Sequence, residues 1–164
     1  MPDHSAVAPE INAKAALFAA FIAGAAFIML GILLMVVAPV FVDDSSWSPA
    51  HRLAAIGMDK GALPLPANLG AAAITITTAI YAGLSLILAF LFALIVRGRT
   101  FGMVIFLGIL FGLLVYLIGF YSVAPMLPGL NMARGWDVII IHLTYGAILG
   151  WVYGSVARKT NRPL

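Results

Sequence analysis

The chain contains no cysteine, and only 9% of its 164 residues are charged. Without cysteine there can be no disulfides, thiolate metal sites, iron–sulfur clusters or covalently attached c-type haem. The redox compartment therefore cannot be read from cysteine usage. The shortage of charge excludes a water-soluble fold: such a domain carries roughly 25% charged residues, whereas here 63% of residues are hydrophobic. Within the long apolar runs no Asp, Glu, Lys or Arg occupies a middle position, which removes the buried acids that mark an ion-coupled transport path. The third and fourth runs do not repeat the first two. Also missing are a nucleophile–base–acid constellation, a Walker motif and a metal-ligand cluster, so the chain is expected not to be an enzyme. The net charge of +3 sits at the ends of the apolar runs rather than in a stripe, so nucleic acid is not an expected partner.

What remains is four apolar runs, at about 15–42, 68–96, 101–124 and 136–157. Each is long enough to cross a bilayer, which takes about 20 residues, and the first two are long enough to tilt or project from it. The expectation is an all-α membrane protein, an antiparallel bundle of four transmembrane helices. Residues 1–14 form a polar cytoplasmic N-terminus, and residues 158–164 a basic cytoplasmic tail. The first run is too long for the apolar core of a cleavable signal peptide, about 7–15 residues, so it reads as a retained helix. Pro39 near its end can close or kink the last turn. Asn68 is placed to cap the second run.

Orientation follows from the basic residues beside each run. Lys14, Arg97, Arg99, Arg158, Lys159 and Arg162 lie on one side; Arg52, Lys60 and Arg134 lie on the other, beside Asp43, Asp44, Asp59 and Asp137. Six basic residues against three put both termini in the cytoplasm. The first outer loop, 43–67, contains a short helix over 48–56: Ser48 can act as N-cap, Pro49 takes the first helical position and Gly57 closes the turn. With Trp47 at headgroup depth, this segment is expected to lie on the outer surface. Together with Arg52 it is a candidate partner contact.

Small residues four apart let helix backbones approach closely. The last run offers Gly146, Gly150 and Gly154, and the third Gly108 and Gly112; the first offers Ala16, Ala20 and Gly24. The second offers Ala79 and Gly83, with Thr75, Thr77, Thr78 and Ser85 for interhelical hydrogen bonds. These glycines are the expected helix-packing or subunit contacts. His142 lies four residues before Gly146, hence on the same face, and is the one histidine inside a run. Tyr145 follows it, and Tyr116, Tyr121 and Ser122 are possible neighbours. His142 and Tyr145 are the candidate cofactor-binding pair, for haem b or for a quinone against an aromatic wall. A second haem ligand would have to come from His51, Met103, Met126 or Met132, with no spacing favouring one of them. The competing reading is structural: a neutral histidine bonded to a neighbour and fixing helix register. Asp137, in the first turn of the last helix, suits the positive end of its dipole.

Three stretches carry a resemblance: Trp47-Ser-Pro-Ala-His-Arg-Leu-Ala-Ala-Ile56 with Gly57, Met58 and Gly61-Ala-Leu-Pro64; Tyr116-Leu-Ile-Gly-Phe-Tyr121 with Ala133-Arg134; and His142-Leu-Thr-Tyr-Gly146 through Gly150, Tyr153 and Gly154. They resemble a group of small, uncharacterised four-span bacterial membrane proteins. The resemblance implies a bacterial inner-membrane location and a four-helix bundle, and no activity. By analogy with auxiliary subunits of respiratory oxidases, the leading expectation is a non-catalytic accessory subunit of a larger electron-transfer complex, holding no cofactor. Its partners would be other integral subunits and lipids. The alternatives are a redox protein using His142 for haem b or quinone, and a small oligomeric channel or carrier.

Overall fold

A computed structural model describes residues 11–37, 71–123 and 136–160. These segments are almost entirely helical: α1 (Ala13–Val37), α2 (Ala71–Ile95), α3 (Phe101–Leu117), which continues as a π-helical stretch Ile118–Val123, and α4 (Trp136–Thr160). All four are long and apolar enough to cross a membrane. A chain that is apolar around the full circumference of each helix is stable in hydrocarbon because every mid-helix backbone group bonds within its own segment.

The boundaries differ from the sequence reading where local bonds decide them. α1 starts at Ala13, because Asn12 Oδ1 accepts the Ala15 N–H at 2.9 Å and its carbonyl accepts the Ala16 N–H at 3.0 Å. α4 runs three residues past the expected end at 157. Its last turn therefore holds Arg158 and Lys159, cations that suit the negative end of the helix dipole. Residues 38–42, with Pro39, lie outside the described residues, as do Asn68 and the outer-loop segment 48–56.

Between α2 and α3 the chain reverses in a few residues. Gly98 takes φ +67°, the left-handed conformation that glycine adopts without a Cβ clash. The Arg99 N–H returns to the Val96 carbonyl at 3.2 Å, and Arg97 Nε donates to the Leu94 carbonyl at 3.3 Å.

Packing inverts the soluble pattern. α1 buries Ala15, Ala16, Ala19, Ala20 and Ala23, while Leu17, Phe18, Phe21 and Met29 face outward. In lipid there is no hydrophobic gain from hiding large side chains, so close backbone approach favours small ones at the interface. α2 turns Ser85, Ala89, Phe92, Ala93 and Val96 inward. This corrects the expectation for Ala79 and Gly83, which are both exposed, and beside Gly83 there is open space. Gly83 lies two residues before Ser85, about 200° round the helix, so the two cannot share a face.

α4 packs on both α3 and α1, and α2 packs on α1. The seam between α3 and α4 has a clear register. Phe101 faces Gly154, Val104 faces Gly150, Gly108 faces Gly146 and Gly150, and Gly112 faces His142 and Gly146. Contacts thus move toward the start of α4 as they move along α3. α2 reaches the other two helices through few side chains: Phe92 meets Phe111 at 5.4 Å and Tyr153 at 6.1 Å between ring centroids.

Candidate functional site

The sequence-selected residues fall into two adjoining groups on α4. The first is the glycine seam. Gly108, Gly112, Gly146, Gly150 and Gly154 are all buried. A Cβ on Gly146 would overlap the Gly108 carbonyl, and one on Gly108 the Gly146 carbonyl; one on Gly112 would overlap the His142 carbonyl. A Cβ on Gly150 would come within 2.7 Å of the Val104 carbonyl. The glycine faces of α3 and α4 are therefore occupied by each other within the same chain. Trp47 and Arg52, the other contact candidates, lie outside the described residues.

The second group surrounds His142, which is 8% exposed. Its Nδ1 lies 2.8 Å from the Val138 carbonyl, one turn earlier in α4. A carbonyl can only accept, so Nδ1 carries the proton and the neutral ring has its lone pair at Nε2. Three aromatic rings meet the imidazole edge to face: Phe27 of α1 at 5.0 Å, Tyr116 of α3 at 5.6 Å, and Phe120 of the π-helical stretch at 5.8 Å. Tyr116 is one of the three possible neighbours that the sequence offers. Tyr121 packs on Tyr116 at 6.3 Å, and Ser122 is exposed. Phe120 and Tyr121 both reach Tyr116 because a π-helical turn is wider than an α-helical one, bringing residue i+5 as well as i+4 beside residue i.

Phe27 and Phe120 are neighbours that the sequence reading does not name. The signal for Phe27 was present, since it continues the Ala20–Gly24 face by three residues. Nothing in the sequence announces the π-helical turn that brings in Phe120.

Tyr145 is brought to the same cluster through Phe27, whose ring lies 5.8 Å from it. Its hydroxyl, however, is engaged elsewhere. Ser85 Oγ donates to the Ala20 carbonyl at 2.8 Å and lies 3.2 Å from Tyr145 Oη. Because Ser85 has one proton and gives it to Ala20, Tyr145 is the donor to Ser85. This chain of donors ties α4 to α2 and α1 in one relay.

Chemically, Nε2 of His142 can accept a hydrogen bond or ligate a metal, and its Nδ1–H to a backbone carbonyl is the second-shell bond that metal-bound histidines use. Among the described residues no group of three or more His, Cys, Asp or Glu could hold a metal ion. Met103 does not qualify as a second haem ligand. It is exposed and lies nine residues before Gly112, the α3 residue level with His142, or about 13 Å along the helix. His51, Met126 and Met132 lie outside the described residues. Comparisons with models of protein families, with curated proteins and with solved structures give no match for this chain.

Proposed function

We propose that the chain is a multi-pass protein of the bacterial cytoplasmic membrane, an antiparallel bundle with both termini inside. In this reading it is a non-catalytic accessory subunit of a larger membrane complex of the respiratory electron-transfer, oxidase-type class. The resemblance drawn from the outer loop, the end of the third helix and the last helix supports the setting. The observation that carries the subunit reading is the uneven burial of the four spans. Half of the spanning window of α4 is buried within the chain, against 22% of that of α2. α2 leaves a ridge of Leu84, Ile87, Leu91 and Leu94 uncovered at helical spacing. Its mechanism would be packing: the internally braced α4 holds α1 and α3, and the outer face of α2 covers apolar surface on a core subunit.

The test is purification of the tagged chain from native membranes in mild detergent, with mass spectrometry and a visible spectrum on one sample. Stoichiometric recovery with large redox subunits is the expected outcome. A chain recovered alone overturns the reading.

A second reading, a small redox protein binding haem b or a quinone, is favoured by one observation: the Nδ1–H···O bond to Val138 leaves Nε2 of His142 as a ligand atom for haem iron or an acceptor for the hydroxyl of a reduced quinone. It predicts a Soret band, or an extractable quinone, that His142→Ala abolishes. A colourless, quinone-free preparation overturns it. A homo-oligomer that leaks solute from liposomes would instead favour a channel or carrier.

A further inference from the structure

At one end of the bundle Ala15 of α1, Val96 at the end of α2 and Ala157 of α4 are buried in one cluster, and Phe101 of α3 is seated on Gly154. The neighbouring positions Lys14, Arg97, Arg99, Arg158 and Lys159 therefore belong to that end. Among the described residues this end holds no carboxylate; the one described acidic position, Asp137, begins α4 at the other end. Orientation in a membrane asks only that such charges be present. Here one of them is also fixed in place. The guanidinium carbon of Arg158 lies 3.6 Å over the Phe101 ring. That ring is itself seated on Gly154, where a Cβ would approach Phe101 Cδ2 to 2.8 Å. The glycine thus makes the slot, the phenyl ring fills it, and the arginine lies on the ring. Arg158 Nε is buried and has no hydrogen-bond partner, so the guanidinium can meet its hydrogen-bonding needs only through its terminal N–H groups.

We propose that this end of the bundle binds the headgroup of an anionic phospholipid, with its phosphate between Arg158 and Arg99 at the foot of α3 and α4. Arg99 stands two residues before the ring that carries Arg158. A planar guanidinium matches phosphate oxygens in pairs, which an ammonium cannot do. Seven residues before Arg158, two turns away on the same face of α4, stands Trp151, a large apolar side chain that is exposed. This apolar surface lies about 10 Å inside the cations, along the stripe that Arg158 occupies. That continuity selects a lipid over a free anion, because a phosphate bound there has a surface for its acyl chains. The inference rests on the bilayer reading of the four helices and is independent of any partner subunit.

The experiment is native mass spectrometry of the purified full chain. The chain is released from micelles containing equal amounts of phosphatidylglycerol and phosphatidylcholine with identical acyl chains. Wild type is expected to retain phosphatidylglycerol over phosphatidylcholine by about fivefold or more. Phe101→Leu keeps every charge and removes the platform; Arg158→Lys keeps the charge, and so the insertion signal, but removes the planar fork. Both should lose most of that preference, as should Arg99→Gln, whereas Lys14→Gln should retain it.

Equal retention of the two lipids by wild type overturns the proposal. So does a preference that falls alike for Lys14→Gln and Arg99→Gln yet survives Phe101→Leu, since that marks diffuse charge. Displacement of the lipid by millimolar inorganic phosphate would mark a free-anion site, and preferential capture of a polyglutamate peptide an acidic protein partner; either result overturns it.

Discussion

At the residue scale, Ser85 makes two buried polar contacts between helices, of a kind that bilayer chemistry makes hard to replace. Tyr145 donates to Ser85 and Ser85 to the Ala20 carbonyl, so removing either hydroxyl breaks one relay. Interhelical hydrogen bonds in membranes average about 0.6 kcal/mol and reach about 1.7. Ser85→Ala and Tyr145→Phe should each destabilise the chain within that range in a detergent unfolding titration. The double variant should lose less than the sum, because the two act in one network. Additive losses would mean that the two hydroxyls are energetically separate. His142 adds three ring contacts to its backbone bond. His142→Ala should therefore lower stability by about 2–4 kcal/mol, as large-to-small core changes do. If His142→Phe, which keeps a ring but not the nitrogen, recovers most of that loss, the histidine is there for packing.

At the element scale, the seam between α3 and α4 and the turn before it are where backbone geometry leaves least freedom. Gly146→Leu and Gly150→Leu place side chains into the α3 backbone. They should abolish monodisperse folded protein in size-exclusion chromatography, because helix backbones cannot yield as side chains do. A Gly150→Leu result is thus a statement about this chain's own fold before it is one about assembly. Gly83→Ala, in open space, should change the melting midpoint by no more than a surface substitution does, roughly 0.5 kcal/mol. In the turn, Gly98 at φ +67° makes Gly98→Ala unfavourable by about 1–2 kcal/mol. That loss should appear as a lower midpoint in the same titration.

At the scale of the whole molecule, α4 is the organising helix. It carries the glycine seam toward α3, Tyr145 and Tyr153 toward α2, and Leu149, Val152 and Ala157 into the core shared with α1. α2 is bound mainly through α1, so it is the helix with most surface to spare. If the accessory-subunit proposal holds, Gly83→Leu should leave the isolated chain's melt unchanged while reducing recovery of the partner subunits in the pull-down. Unchanged recovery would move the contact away from α2, to the outer loop with Trp47 and Arg52 among other surfaces.

Much of this protein is determined by its sequence alone. The charge deficit and four apolar runs dictate four membrane-length helices, because an unbonded backbone is intolerable in hydrocarbon. The four-residue spacing of Gly146, Gly150 and Gly154 with His142 places them on one face, because 3.6 residues make a turn. Ser85 is likewise legible as an interhelical donor. Helix periodicity says which residues share a face and does not say which neighbour that face meets. Only the tertiary structure decided that the glycines of α4 meet α3, and that α2 turns Ala89 and Ala93 inward in place of Ala79 and Gly83. It also decided that Phe27 and Phe120 close on His142, one of them through a π-helical turn. Arg158 shows the same division within one side chain. Its position at the end of a span follows from sequence, whereas its seat on Phe101 depends on a slot that exists only once Gly154 of α4 has packed against the start of α3.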